Sequence, residues 1–267
     1  MKKWGIVLLA LLLVLSLAAC SSGDAGEPEG DATWARIQAE GKTTVGLDDT
    51  FAPMGFREAG TNDLIGFDID MVEEFSARLG IEFEWIPTEW RGVTGSLNSN
   101  KFDMVINGMS ITDERQEAIN FSIPYVKAGI GAVVLADNTE INSIDDLWDF
   151  NLATQTGSSA SEALRGIGYE DPVYYDQYPL AFQDLSIGRV DAVIVDATTG
   201  AHFMDMKPGE YRLIEGRVVD EYYAIGLRKA DTELAEALNG VLRDMMEDGT
   251  LAAISEKWFG TDLIAYE

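Results

Sequence analysis

Apolar runs of strand length alternate with stretches of helical period along most of this chain. Runs at 43–47, 82–86, 102–106, 151–154, 172–175 and 191–195 predict strands. Between and after them, apolar positions recur every three or four residues, which predicts helices over 68–79, 158–166, 179–187 and 232–247. In the last of these, Leu234, Leu238, Val241, Leu242 and Met245 share one face, the mark of a helix turned toward a core. Strand and helix in alternation predict α/β architecture with mostly parallel sheets. Two further apolar runs, 127–136 and 222–227, bracket a complete α/β unit. One unit inserted into another implies two lobes joined by two crossing strands. The cleft between such lobes is a natural ligand site, and the crossings are a natural hinge. Gly129, Gly131 and Gly226 lie on them and are expected to ease the backbone change.

The N-terminus carries a different pattern. Lys2 and Lys3 precede an apolar stretch at 5–17, too short for a stable membrane span, so residues 1–19 read as a secretory signal. Leu17-Ala18-Ala19-Cys20 resembles a bacterial lipobox, which makes Cys20 the expected lipidated N-terminus of the mature chain. Residues 20–33 are rich in Gly, Ser, Pro and acid and read as a flexible acidic tether, of which 21–32 reach at most about 40 Å. Cys20 is the chain's single cysteine, so no internal disulfide can form.

Charge and composition remove several function classes. A formal net charge of −27 argues against nucleic acid as a partner. One histidine, His202, lies in a helical stretch and reads as structural; it leaves no base for a Ser-His-Asp triad and too few ligands for zinc. No Walker loop or dinucleotide fingerprint is present, so neither cofactor nor metal is expected.

The segment Asn107-Gly108-Met109-Ser110-Ile111-Thr112-Asp113-Glu114-Arg115 carries the most chemistry. It follows the predicted strand 102–106 and opens a short helix with Thr112 as N-cap. A small-residue turn, a hydroxyl, free helix N–H groups and a guanidinium then meet in one place, a receptor for a small carboxylate.

In order and spacing these residues resemble the bacterial extracytoplasmic solute-binding proteins, type 3, that serve ABC importers of polar amino acids. The resemblance runs over roughly residues 42–260. It is carried by Val45-Gly46-Leu47-Asp48, Phe51-Ala52-Pro53, Gly66-Phe67-Asp68, Trp90, the 108–115 segment, Gln155-Thr156-Gly157-Ser158, Gly188-Arg189-Val190-Asp191, Asp196 and Lys257-Trp258-Phe259-Gly260. It implies the two-lobed periplasmic-binding-protein-like fold, type II, with lobe 1 from 34–128 and 224–267 and lobe 2 from 129–223. By the same resemblance Arg115, Ser110 and the Gly108 backbone hold the ligand α-carboxylate, and Ser158 and Ser159 close over it. Asp196 receives the α-ammonium and Asp48 assists. Phe51 and Trp90 wall the ligand side chain, and Gln155 faces it. The implied partners are a free amino acid and an ABC permease, with the protein a monomer held to the membrane through lipid.

The chain departs from the glutamine-type members, which have a histidine where Val195 stands, so glutamine specificity does not carry over. Arg91 stands where an acid is common and is expected to face solvent. The alternative on this fold is a periplasmic cyclohexadienyl dehydratase, for which Glu89 is the candidate acid. Asp68 and Asp70 are expected to start a helix.

Overall fold

The computed structural model describes residues 29–266. The expected signal, Cys20 and the first part of the tether lie outside the described residues. The rest of the tether is a correction: its last residues already belong to helix α1, Glu29–Glu40. Trp34 and the fully buried Ile37 dock that helix on the core beside Leu234 and Leu238. Acidic and Gly-rich leading residues mask a helix whose stability comes from tertiary packing.

The chain continues through β1 (Lys42–Leu47), β2 (Thr50–Phe51), β3 (Gly55–Arg57), β4 (Leu64–Ile65), α2 (Phe67–Leu79), β5 (Glu82–Pro87), α3 (Val93–Asn98), β6 (Met104–Val105), α4 (Asp113–Ala118) and β7 (Asn120–Phe121). Then come β8 (Val126–Leu135), β9 (Leu152–Gln155), α5 (Ser159–Gly166), β10 (Val173–Tyr175), α6 (Tyr178–Ser186), β11 (Ala192–Asp196), α7 (Ala197–Met206), β12 (Tyr211–Leu213) and β13 (Val219–Tyr223). The chain finishes with β14 (Gly226–Leu227), α8 (Thr232–Glu247) and α9 (Thr250–Phe259).

Two main sheets build two lobes. The first has the order β5-β1-β6-β14-β7, the second β10-β9-β11-β8-β12 with β13 also on β8. In each, three strands are parallel: β5-β1-β6 and β10-β9-β11. The remaining pairings, made by β14 and β8, are antiparallel, so the sheets are mixed rather than mostly parallel. Parallel strands need a helical crossover between them; a strand arriving from the other lobe does not, and it can pair antiparallel.

The run 222–227 is not one strand. Its first part closes β13 on the second sheet, and after Ala224 and Ile225 the chain joins the first sheet as β14. The other crossing is β8, whose start is tied to the C-terminal segment by Lys127 N–H donating to the Leu263 carbonyl. The crossing glycines sit in regular pairing and serve packing. A Cβ would lie 3.0 Å from Leu213 Cδ1 at Gly131, 2.9 Å from Arg217 Cδ at Gly129 and 2.6 Å from Met109 Sδ at Gly226.

Candidate functional site

The carboxyl ends of the parallel strands in both sheets point into one cleft, where open α/β sheets place their ligands. β1 ends at Leu47 and delivers Asp48, and β6 leads into Gly108–Ser110. From the other lobe β9 ends on Gln155 and β11 on Asp196. The lobes close almost completely over a cavity of only about 10 Å³, lined by Phe51, Trp90, Gly108, Ser110, Arg115, Gln155, Ser158, Ser159, Tyr178 and Asp196. Every residue that the sequence nominates for the ligand, Asp48 excepted, is on that wall.

Arg115 is the most informative member. Thr112 caps α4 by accepting from Arg115 N–H at 3.2 Å, which aims the side chain back over the turn. Its Nη1 donates to the Ser110 carbonyl at 2.9 Å and its Nη2 to the Gly157 carbonyl of the other lobe at 3.2 Å. The guanidinium carbon lies 5.4 Å from the Trp90 ring centroid. The residue is only 5% exposed, and among the described residues it has no carboxylate within ion-pair distance. Burial pushes its pKa down from the ordinary arginine value. Glu162, Glu221 and Asp196 offset that only from beyond ion-pair distance, and an anionic ligand would supply a direct counter-ion.

The Gly108 turn differs in detail from the expectation. Its N–H donates to Asp68 Oδ2 at 2.7 Å, so the group it can offer a ligand is its carbonyl, which suits an ammonium and not a carboxylate. Gly108 has φ 54°, and a Cβ there would lie 2.9 Å from Met54 Cγ and 3.0 Å from Phe51 Cε1. Asp68, fully buried in the first turn of α2, also accepts from Tyr125 Oη at 2.8 Å. It braces the site from behind as well as opening the helix, and burial pushes its carboxyl up to about 7.

The two serines of the second lobe are partly engaged already. Ser158 caps α5, accepting from Ser161 N–H at 3.1 Å while donating to the Gln155 carbonyl at 2.8 Å. Ser159 Oγ donates to Glu221 Oε2 at 3.0 Å and meets Ser110 Oγ across the cleft at 3.1 Å. What α5 retains for an anion is its free N-terminal N–H groups.

Asp196 heads α7 but makes no side-chain cap. Its Oδ1 accepts from Tyr223 Oη at 2.5 Å. Burial first, then the nearby Glu221 charge, pushes its carboxyl up to about 7. Asp48 does not line the cavity. Its Oδ1 accepts from Thr50 N–H and Oγ1 at 3.0 and 2.7 Å, and its Oδ2 from Gln155 Nε2 at 2.6 Å, so it anchors Gln155 across the cleft. Among the described residues no group of three His, Cys, Asp or Glu side chains is placed to hold a metal ion.

Tyr178 and Glu221 are further residues of the site that the sequence reading does not nominate. Tyr178 lines the cavity, packs against Phe51 at 6.0 Å between ring centroids, and has a buried hydroxyl without a hydrogen-bond partner among the described residues. Nothing local marks it. Glu221 did have a signal, since it alternates with Tyr223 along β13 and both are buried. His202 is half-buried and meets Phe56 of the other lobe edge-on at 5.2 Å, a packing role. Glu89 and Arg91 pair with each other at 3.2 Å on the surface; Glu89 is 73% exposed and remote in character from a buried acid poised for catalysis.

Known proteins resemble this chain over most of its length. The family model described as "Bacterial extracellular solute-binding proteins, family 3" matches residues 43–261. The L-cystine-binding protein TcyJ of Escherichia coli K12 is 34% identical over 231 residues, 85% of this chain and 86% of that protein. A histidine-bound ABC uptake transporter substrate-binding protein from Streptococcus pneumoniae superposes with a TM-score of 0.83 at 28% identity, covering 88% of this chain and 98% of that one. An ancestral amino acid-binding protein, described as a precursor of cyclohexadienyl dehydratase, superposes with a TM-score of 0.79 at 32% identity, covering 85% of this chain and 99% of that one.

Proposed function

This chain belongs to family 3 of the bacterial extracellular solute-binding proteins, and on that premise we propose that it binds a free polar L-amino acid between its lobes and hands it to an ABC permease. Arg115 and the N-terminus of α5 receive the α-carboxylate. Asp196 and the Gly108 carbonyl receive the α-ammonium, and Phe51, Trp90 and Tyr178 enclose the side chain. The observation that carries this reading is the buried Arg115 guanidinium, held by two carbonyls and facing a cavity whose far wall holds an acid. An α-amino acid carries both the anion and the cation that such a pair would receive.

Lobe 1 comprises 34–128 and 224–267 and lobe 2 comprises 129–223. Each supplies half of the site, so a ligand that touches both halves favours the closed arrangement by its preference for that state. The mature protein is a monomer, lipidated at Cys20 and held outside the cytoplasmic membrane. Binding rather than catalysis is the role: the named relatives are binding proteins, and the exposed Glu89 lacks the burial that would tune a general acid. A panel of the twenty L-amino acids, with glucose and prephenate as controls, tests the reading by thermal shift. A stabilising amino acid and intact prephenate are expected. Stabilisation by glucose alone, or prephenate turnover, would contradict it.

A further inference from the structure

Gln155 lines the cavity, and its hydrogen bonds decide what it can offer a ligand side chain. Its Nε2 donates to Asp48 Oδ2 at 2.6 Å and to the Asp176 carbonyl oxygen at 2.9 Å. A carboxylate oxygen and a main-chain carbonyl are both acceptors. An amide turned the other way would set its oxygen against two oxygens, so the hydrogen-bond network itself assigns the orientation. With both N–H groups engaged, the polar atom that Gln155 has left for the cavity is Oε1, an acceptor.

The bracket that holds it is stiff. Gln155 is 2% exposed and Asp48 5%, and Asp48 is pinned in turn by two bonds from Thr50. Arg115 is the sole cation among the lining residues, and it is tied to Ser110 and Gly157. No second cation on the wall could receive a second carboxylate, while aromatic faces of Phe51 and Trp90 suit a cation.

We infer that the cavity selects an amino acid whose side chain ends in a hydrogen-bond donor, an amide, hydroxyl or cationic nitrogen, and rejects one whose side chain ends in a carboxylate. The inference rests on the amino-acid reading above and narrows it. A donor completes the Gln155 bracket. A carboxylate brings its charge against Oε1, with the Asp48 carboxylate directly behind, and finds no second cation on the wall to offset it. Glutamine and glutamate, and asparagine and aspartate, differ only in this group, so they isolate it.

Calorimetric titration of the wild type and of Gln155→Met with these four amino acids, plus arginine and lysine, tests the point. Methionine keeps the volume and removes the acceptor; melting of the ligand-free variant checks that it folds, and Gln155→Lys serves as the second variant. In the wild type each amide is expected to bind at least about tenfold more tightly than its acid, in line with sites built around a hydrogen bond. Gln155→Met should narrow that ratio, and Gln155→Lys should narrow it further. An acid binding as tightly as its amide in the wild type, or a ratio unchanged in both variants, overturns the inference and leaves the amino-acid reading standing. Absence of binding by every amino acid overturns both.

Discussion

Truncating Arg115 to alanine should remove ligand binding and leave the fold. In the structure the guanidinium makes two bonds to neutral carbonyls and lies over Trp90, with no ion pair among the described residues. Losing it costs two modest hydrogen bonds and a cation–π contact, but it also relieves the desolvation of a buried charge. These terms oppose each other, so ligand-free stability should change by no more than about 1–2 kcal/mol. Binding has no such offset. Truncating one partner of a desolvated charge pair costs about 2–5 kcal/mol, roughly 30-fold to several thousandfold in Kd. Arg115→Lys keeps the charge and loses the fork that spans Ser110 and Gly157, so it should fall between wild type and alanine. Calorimetry with the stabilising amino acid, beside thermal melts, reads both quantities. An alanine variant that binds within threefold of wild type would take Arg115 out of the site.

Further expectations concern closure, titration and anchoring. Small-angle scattering should show a smaller radius of gyration on saturation with the stabilising amino acid; an apo protein shown to be open and unchanged by ligand would refute hinge closure. Asp68 is raised to about 7 by burial, so its contribution is present below its unfolded value near 3.8 and lost as pH rises through about 7. Wild-type stability relative to Asp68→Asn should therefore decline between pH 4 and 7, by up to about 1.4 kcal/mol per pH unit; a gap that grows with pH would reverse the sign. Cys20→Ser should release the protein from the membrane fraction, since two acyl chains anchor firmly where one does not; a variant that stays bound in the wild-type amount would require another anchor.

Periodicity made the regular elements legible. Helix α8 occupies the predicted 232–247, because its one apolar face repeats without interruption. The strand runs at 43–47 and 82–86 lie within β1 and β5 for the same reason. Helix α1 escaped because Glu, Gly and Asp at its start resemble a linker, and Trp34 and Ile37 find their partners only in α8 and the core. The site was visible where chemistry is local, as in Thr112 capping Arg115. It was hidden where partners lie far along the chain. Asp48 became a bracket only once Gln155 reached it from the other lobe, and the Gly108 N–H was claimed by Asp68 through a fold that no spacing rule foretells.

Native mass spectrometry of the protein as purified tests the central claim most directly. The account predicts one bound molecule per chain, released on denaturation, with the mass and fragmentation of a free L-amino acid. A sugar, a metal ion or a molecule without both an α-carboxylate and an α-ammonium in that position would contradict it.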